Sequence, residues 1–188
     1  MASGPGASES GASESGASES GAAEPGASGE WAVHTVDGAD VRLRSGRVGL
    51  MSLDVTAPVS GGELAVTADG VDLTLRLALN ELRTRNFLMQ AAARSLVSRY
   101  DAHVLTYHGL GRDPDGPWHV TGHAVAGTVD VLLELAVTPC GPSGDPMSEI
   151  DLVGSAQLGT VNLPLPGLGT IDDFAFDVDA RLALRRRR

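Results

Sequence analysis

Lysine is absent from the 188 residues, and all 14 basic side chains are arginine. We read that bias as genome composition, without chemical meaning of its own. Aromatic residues make up only 4% of the chain. Cys140 is the single cysteine, so no internal disulfide can form, and with no Cys-His signature around it the thiol reads as structural rather than nucleophilic. No apolar run approaches the roughly 18 residues of a spanning helix, and no basic segment followed by an apolar one opens the chain. The expectation is a cytoplasmic protein without a transmembrane segment.

Positive charge is scarce as well. The formal net charge is −10, with five acids (Glu9, Glu14, Glu19, Glu24, Glu30) and no base before Trp31, and an excess of acids after it. That excludes broad phosphate-backbone binding, which needs a basic face, so no nucleic-acid partner is expected.

The short signatures of phosphate cradles, nucleophile elbows, dinucleotide loops and zinc proteases are also missing. Five histidines raise the question of a metal. His119 and His123 share a strand face, but four residues of strand separate them by about 13 Å, too far for one ion with bonds near 2 Å. His103 and His108, five apart, point to opposite faces. Asp113-Pro114-Asp115-Gly116 lacks the later ligands of a calcium loop and reads as a hairpin turn. The acids Asp172, Asp173, Asp177 and Asp179 form no isolated pair for acid–base work, and the last three lie on the polar face of the final strand. Neither metal, cofactor nor catalysis is expected.

What is present is organised in three parts. Residues 1–29 repeat a five-residue unit, GASES at Gly6, Gly11 and Gly16, then GAAEP and GASGE. Without large apolar side chains such a segment cannot offset its ordering entropy, so a disordered acidic tail is predicted. Residues 30–184 form the domain, and Arg185 to Arg188 a basic tail. Those four arginines give a weak signal for contact with a membrane surface.

Within the domain, period-two alternation predicts about eight strands. Val71, Leu73, Leu75, Leu77 and Leu79 give the cleanest; Val129 to Val137, Ile150 to Leu158 and Phe174 to Leu184 follow the same rule. Val48 to Val66, interrupted by Pro58 and Gly61-Gly62, holds either one broken strand or two short ones. Only the stretch from Glu81 to Tyr107 changes period. There Met89, Ala92, Ala93, Leu96 and Val97 fall on one face of a helix, with Gln90, Arg94 and Ser98 opposite, and Asn86 or Thr84 can cap its start. Antiparallel strands with one apolar face each must close into a barrel or pack as a sandwich. Gly122, Gly127 and Gly154 on the inward set either leave room for a cavity or mark bulges and corners.

Trp31 opening a strand, Arg85-Asn86-Phe87-Leu88 at the helical insert, Tyr107 beyond it, Trp118-His119-Val120-Thr121-Gly122 starting a strand, and Gly127 before Val129 to Val137 together resemble the YceI-like, polyisoprenoid-binding family. The resemblance runs from about Trp31 to Leu184. It implies a mainly β fold, an eight-stranded antiparallel lipocalin-like β-barrel with one short amphipathic helix packed over one end. It also implies binding of a long apolar ligand, an isoprenoid-type lipid, inside the barrel for storage or transport. The polar residues of the family's ligand mouth do not carry over to this chain. Candidate lining residues on the strands are Leu75, Leu77, Tyr107, Trp118, Leu133, Leu135, Phe174 and Phe176. At the helix they are Phe87, Leu88 and Met89. The alternative is a fully packed barrel acting as a stress-response or protein-interaction module, and a homodimer is left open.

Overall fold

The computed structural model describes residues 28–35, 38–48, 51–112, 117–142, 145–158, 161–162, 170–171 and 174–187. The strands in chain order are β1 (Gly29–Val33), β2 (Asp40–Val48), β3 (Met51–Thr67), β4 (Gly70–Ala78), β5 (Arg83–Thr84), β6 (Val104–Gly111) and β7 (Trp118–Ala126). Then come β8 (Val129–Pro139), β9 (Glu149–Leu158), β10 (Val161–Asn162), β11 (Thr170–Ile171) and β12 (Phe174–Arg186). Among the described residues one α-helix, α1 (Phe87–Arg99), stands between β5 and β6. The repeat at residues 1–27, the turn at 113–116 and the acids Asp172 and Asp173 lie outside the described residues.

Eight of these strands close on themselves in the order β12, β2, β3, β4, β6, β7, β8, β9 and back to β12, every neighbour antiparallel. This is the expected eight-stranded antiparallel barrel with one helix. Alternation explains it: β7 is buried and exposed at strictly alternate residues from Trp118 to Ala126, so its apolar face can be hidden only in a closed interior. β1 completes one lane. It pairs with β3 at Gly29 to Ala32 and with β12 at Trp31 to Val33, below the point where β2 ends. The stretch with Pro58 and Gly61-Gly62 is one strand rather than two. β3 runs unbroken from Met51 to Thr67 and absorbs the irregularity as a register shift against β4 between Val59 and Gly61.

The chain therefore enters the barrel at Gly29 and leaves it at Arg186, both at one end. Arg185 and Arg186 pair with Ala32 and Trp31 as part of β12, so the strand outlasts the boundary expected after Leu184. Arg187 lies 3.1 Å from Glu63. This end is filled by Trp31, Leu64, Leu73, Trp118, Val137, Ile150 and Leu182, each 6% exposed or less. A fully buried Leu or Ile contributes about 1.5–3 kcal/mol, so the packed end carries much of the stability.

On the outer wall, Arg181 grips Asp151 through two bonds of 2.7 and 2.8 Å, and Arg42 grips Asp54. Hydrogen bonds from those guanidinium groups hold both carboxyls below the usual range. Such exposed pairs are screened by solvent and add little to stability. Burial, then the Asp151 carboxylate, pushes the Cys140 thiol up, which keeps it protonated and a poor nucleophile.

The helix is fixed at both ends. The Asn86 side-chain oxygen accepts from the Met89 amide at 3.4 Å, and the Gln90 side chain reaches back to the Thr84 amide and the Leu82 carbonyl. At its other end Ala102 N–H donates to Val97 O at 2.9 Å and Asp101 N–H to Ser98 O at 3.5 Å. That is the Schellman pattern, with Asp101 at φ 49° where glycine is usual. Asp101→Gly is accordingly expected to raise stability by about 0.5–1 kcal/mol. Urea unfolding would read this as a higher midpoint at unchanged slope. No helix among the described residues is long and apolar enough to cross a membrane.

Candidate functional site

The barrel is packed at one end and hollow at the other. Between the inner face of α1 and the strands lies a cavity of about 500 Å³. Its roof is the helical face expected to cover the barrel, Met89, Ala92, Ala93, Leu96 and Val97, followed by Tyr100 and Ala102. Its wall is built from inward positions at one end of each strand: Leu43 on β2, Val55 on β3, Leu105 on β6, Ala124 and Ala126 on β7, Val129 and Val131 on β8, Leu158 on β9, and Phe174 and Phe176 on β12. Leu79 and Leu82 close the side where β4 leads toward the helix.

Among the described residues none of the lining side chains is charged, and only Ser45, Ser52 and Tyr100 bring a polar atom. The Ser45 hydroxyl is already used. It donates to Gly46 O at 2.9 Å and accepts from the Leu53 amide at 2.8 Å, so it stabilises the irregular β2–β3 pairing more than it offers itself to a ligand.

Beneath the cavity, one inward position further along β6 than Leu105, is Tyr107, which is 1% exposed. Its backbone belongs to β6, yet its hydroxyl donates to Val120 O on β7 at 3.1 Å and lies 3.4 Å from Leu133 O on β8. The ring thus leans away from the helix across two neighbouring strands. Gly109 makes this course available, since a Cβ there would collide with the Tyr107 hydroxyl; a Cβ on Gly122 would instead meet the His108 carbonyl of the neighbouring strand. Gly154 sits equally close to the Glu134 carbonyl. Burial raises the Tyr107 phenol well above its ordinary range, so it stays neutral at any physiological pH.

The eleven candidate residues divide by place. Met89, Phe174 and Phe176 line the cavity. Leu75, Leu77, Trp118, Leu133 and Leu135 are buried core residues outside that lining, and Tyr107 lies beneath it. Phe87 is 82% exposed on the outside of the helix. Leu88 is in the helix, its side chain outside the described residues. The wall residues Ala124, Ala126, Val129 and Val131 are absent from the sequence-derived set; their signal is the pair of alanines where β7 continues the face of Trp118 and Val120. Gly122 and Gly154, a hint of open space in the sequence, instead mark close backbone approach.

The β7–β8 turn anchors the roof. Gly127 has φ 58°, and a Cβ there would overlap the Tyr100 carbonyl at the end of α1. Gly127→Ala is therefore expected to destabilise the domain by about 1–3 kcal/mol and to push the end of α1 outward. Faster amide exchange at Ser98 to Ala102 than at core strands would register the displacement.

On the outer wall His108 and His123 face each other across β6 and β7, each beside a carboxylate, Asp72 at 3.2 Å and Asp130 at 2.8 Å. Among the described residues no group of three or more such side chains could hold a metal ion.

No protein-family model and no curated protein matches the chain. Among solved structures, the chain is similar to a polyisoprenoid binding domain from Saccharophagus degradans implicated in plant cell wall breakdown. The identity is 13% and the TM-score 0.45, over 84% of this chain and 98% of that one.

Proposed function

We propose that the protein binds one apolar small molecule in the cavity beneath α1, a prenyl lipid or a lipid chain of similar bulk, and that it stores or carries this molecule rather than transforming it. The observation that carries this reading is a cavity of about 500 Å³ whose lining has no charged side chain among the described residues. The space is partly open to solvent, so left empty it sets a broad apolar wall against water, which is unfavourable. Water gives little relief, because an apolar lining offers it few partners. An apolar occupant instead regains dispersion contacts and removes its own surface from water at about 25 cal/mol per Å². The volume falls within the usual range for sites that enclose a small ligand.

The polar atoms Ser52 and Tyr100 are the candidates for orienting a head group. A fully packed interaction module is disfavoured by the same cavity. Organic extraction of the purified protein followed by mass spectrometry is expected to release an apolar molecule, and prenyl alcohols added to stripped protein are expected to raise its melting temperature. A protein that carries nothing apolar and melts identically with and without such compounds would sink the reading.

A further inference from the structure

The chain uses few aromatic residues and hides them well, with one exception. Trp31, Tyr107, Trp118 and Phe174 are buried, Tyr100 and Phe176 are partly buried, and Phe87 alone is exposed, at 82%. It stands at the first turn of the roof helix, on the face away from the cavity. Ala91, Arg94 and Ser98 continue that stripe at helical spacing, all exposed, with Arg99 at its flank. Arg83 and Arg85 precede it, both exposed. From Leu82 to Tyr100 the chain has four arginines and no acid, although the whole protein is at −10. The bracketing acids are Glu81 and Asp101, and Asp101 lies 3.2 Å from His103. Arg83 is 3.6 Å from Asp40, whereas no described carboxylate lies within ion-pair distance of Arg85, Arg94 or Arg99.

We infer that this outer face of the roof, Arg85, Phe87, Arg94 and Arg99, docks on an anionic lipid surface, with Phe87 entering the interfacial region and the arginines meeting the head groups. The chemistry is complementary: an aromatic ring favours the boundary between hydrocarbon and water, and guanidinium groups pair with phosphates. The net negative charge does not forbid it, because salt confines electrostatic effects to about 8 Å at physiological ionic strength, so the local charges decide. Docking by this face sets the cavity roof against the bilayer, where an apolar ligand could pass without crossing water. The arginines at the end of β12 lie at the opposite, packed end and would turn the cavity away from the lipid. The inference rests on the cavity reading for its purpose, but not for its test.

The test is co-sedimentation of the full chain with vesicles of phosphatidylcholine alone or mixed with phosphatidylglycerol, at low and high salt. Binding is expected only to the anionic vesicles and is expected to weaken with salt. Each arginine near such a surface contributes about five-fold in affinity, so the double variant Arg85→Gln with Arg94→Gln should bind about 25-fold more weakly. Phe87→Ser should lose several-fold, and Phe87→Trp should bind like the unaltered chain and shift its emission to shorter wavelength on the vesicle. Arg185→Gln with Arg186→Gln should change nothing. Uptake of a fluorescent fatty acid from solution, measured separately, should be unaltered in all of them. A chain that takes up the fatty acid but ignores anionic vesicles overturns the docking and leaves the cavity reading standing. Vesicle binding that survives Phe87→Ser unchanged, with no emission shift in Phe87→Trp, also overturns it and points to an acidic macromolecule. Roof-dependent vesicle binding without fatty-acid uptake supports the docking and removes the cavity reading.

Discussion

Ala124→Phe is expected to abolish uptake of an apolar probe while leaving the barrel folded and slightly more stable. Ala124 is 7% exposed, points inward from β7, and lines the cavity between Tyr107 and Val131, its two cross-strand neighbours. A phenyl ring placed there takes the volume that a ligand would need. Two effects compete in the stability. Added apolar surface enters an apolar-lined space, and filling cavities commonly contributes about 0.5–2 kcal/mol; against that, forcing carbon into a packed interior costs about 1–3 kcal/mol. The second applies only where packing is complete, and a cavity of about 500 Å³ leaves room for the ring. A higher melting temperature together with at least ten-fold weaker probe binding is the expected pair of results. Unchanged probe affinity in a folded variant would place the ligand elsewhere.

The same position shows how far the sequence could be read. The strands were legible because alternation is imposed by burial of one face, and the helix because Met89, Ala92, Ala93, Leu96 and Val97 break that period together. Closure of the ring was legible only as a choice between barrel and sandwich until the family pattern was added. The cavity was harder. Leu75, Leu135 and Val131 are equivalent in sequence, all inward aliphatic residues on strands, yet only Val131 lines the hollow half. Which inward residues meet a neighbour depends on where along the barrel axis the register places them, and on where the roof sits. Tyr107 shows the same limit, since its ring direction depends on Gly109, where a Cβ would collide with the hydroxyl. Phe87 is adjacent to the lining in sequence, yet the cap at Asn86 fixes a helical phase that turns its side chain outward.

Tyr107 lies beneath the hollow half, across from the lining residue Ala124, and removing it should have the largest effect on both stability and selectivity. Tyr107→Ala is expected to destabilise the domain by about 3–5 kcal/mol, the usual cost of deleting a buried aromatic ring. Tyr107→Phe keeps the ring and loses only the hydroxyl with its bond to Val120 O, for about 1 kcal/mol. The two variants separate packing from hydrogen bonding, and they also make different predictions for the ligand. In Tyr107→Ala the space above Gly109 and Gly122 joins the cavity, so the preferred chain in a series of fatty acids or prenyl alcohols should become longer. Tyr107→Phe leaves the base in place, and the preferred length should not move. Measurement at low temperature keeps the weaker variant folded, with urea midpoints reporting how much stability each has lost. If Tyr107→Ala folds and still prefers the original length, the ligand does not reach Tyr107, and the limit is set nearer the roof, by Leu105 and Ala124.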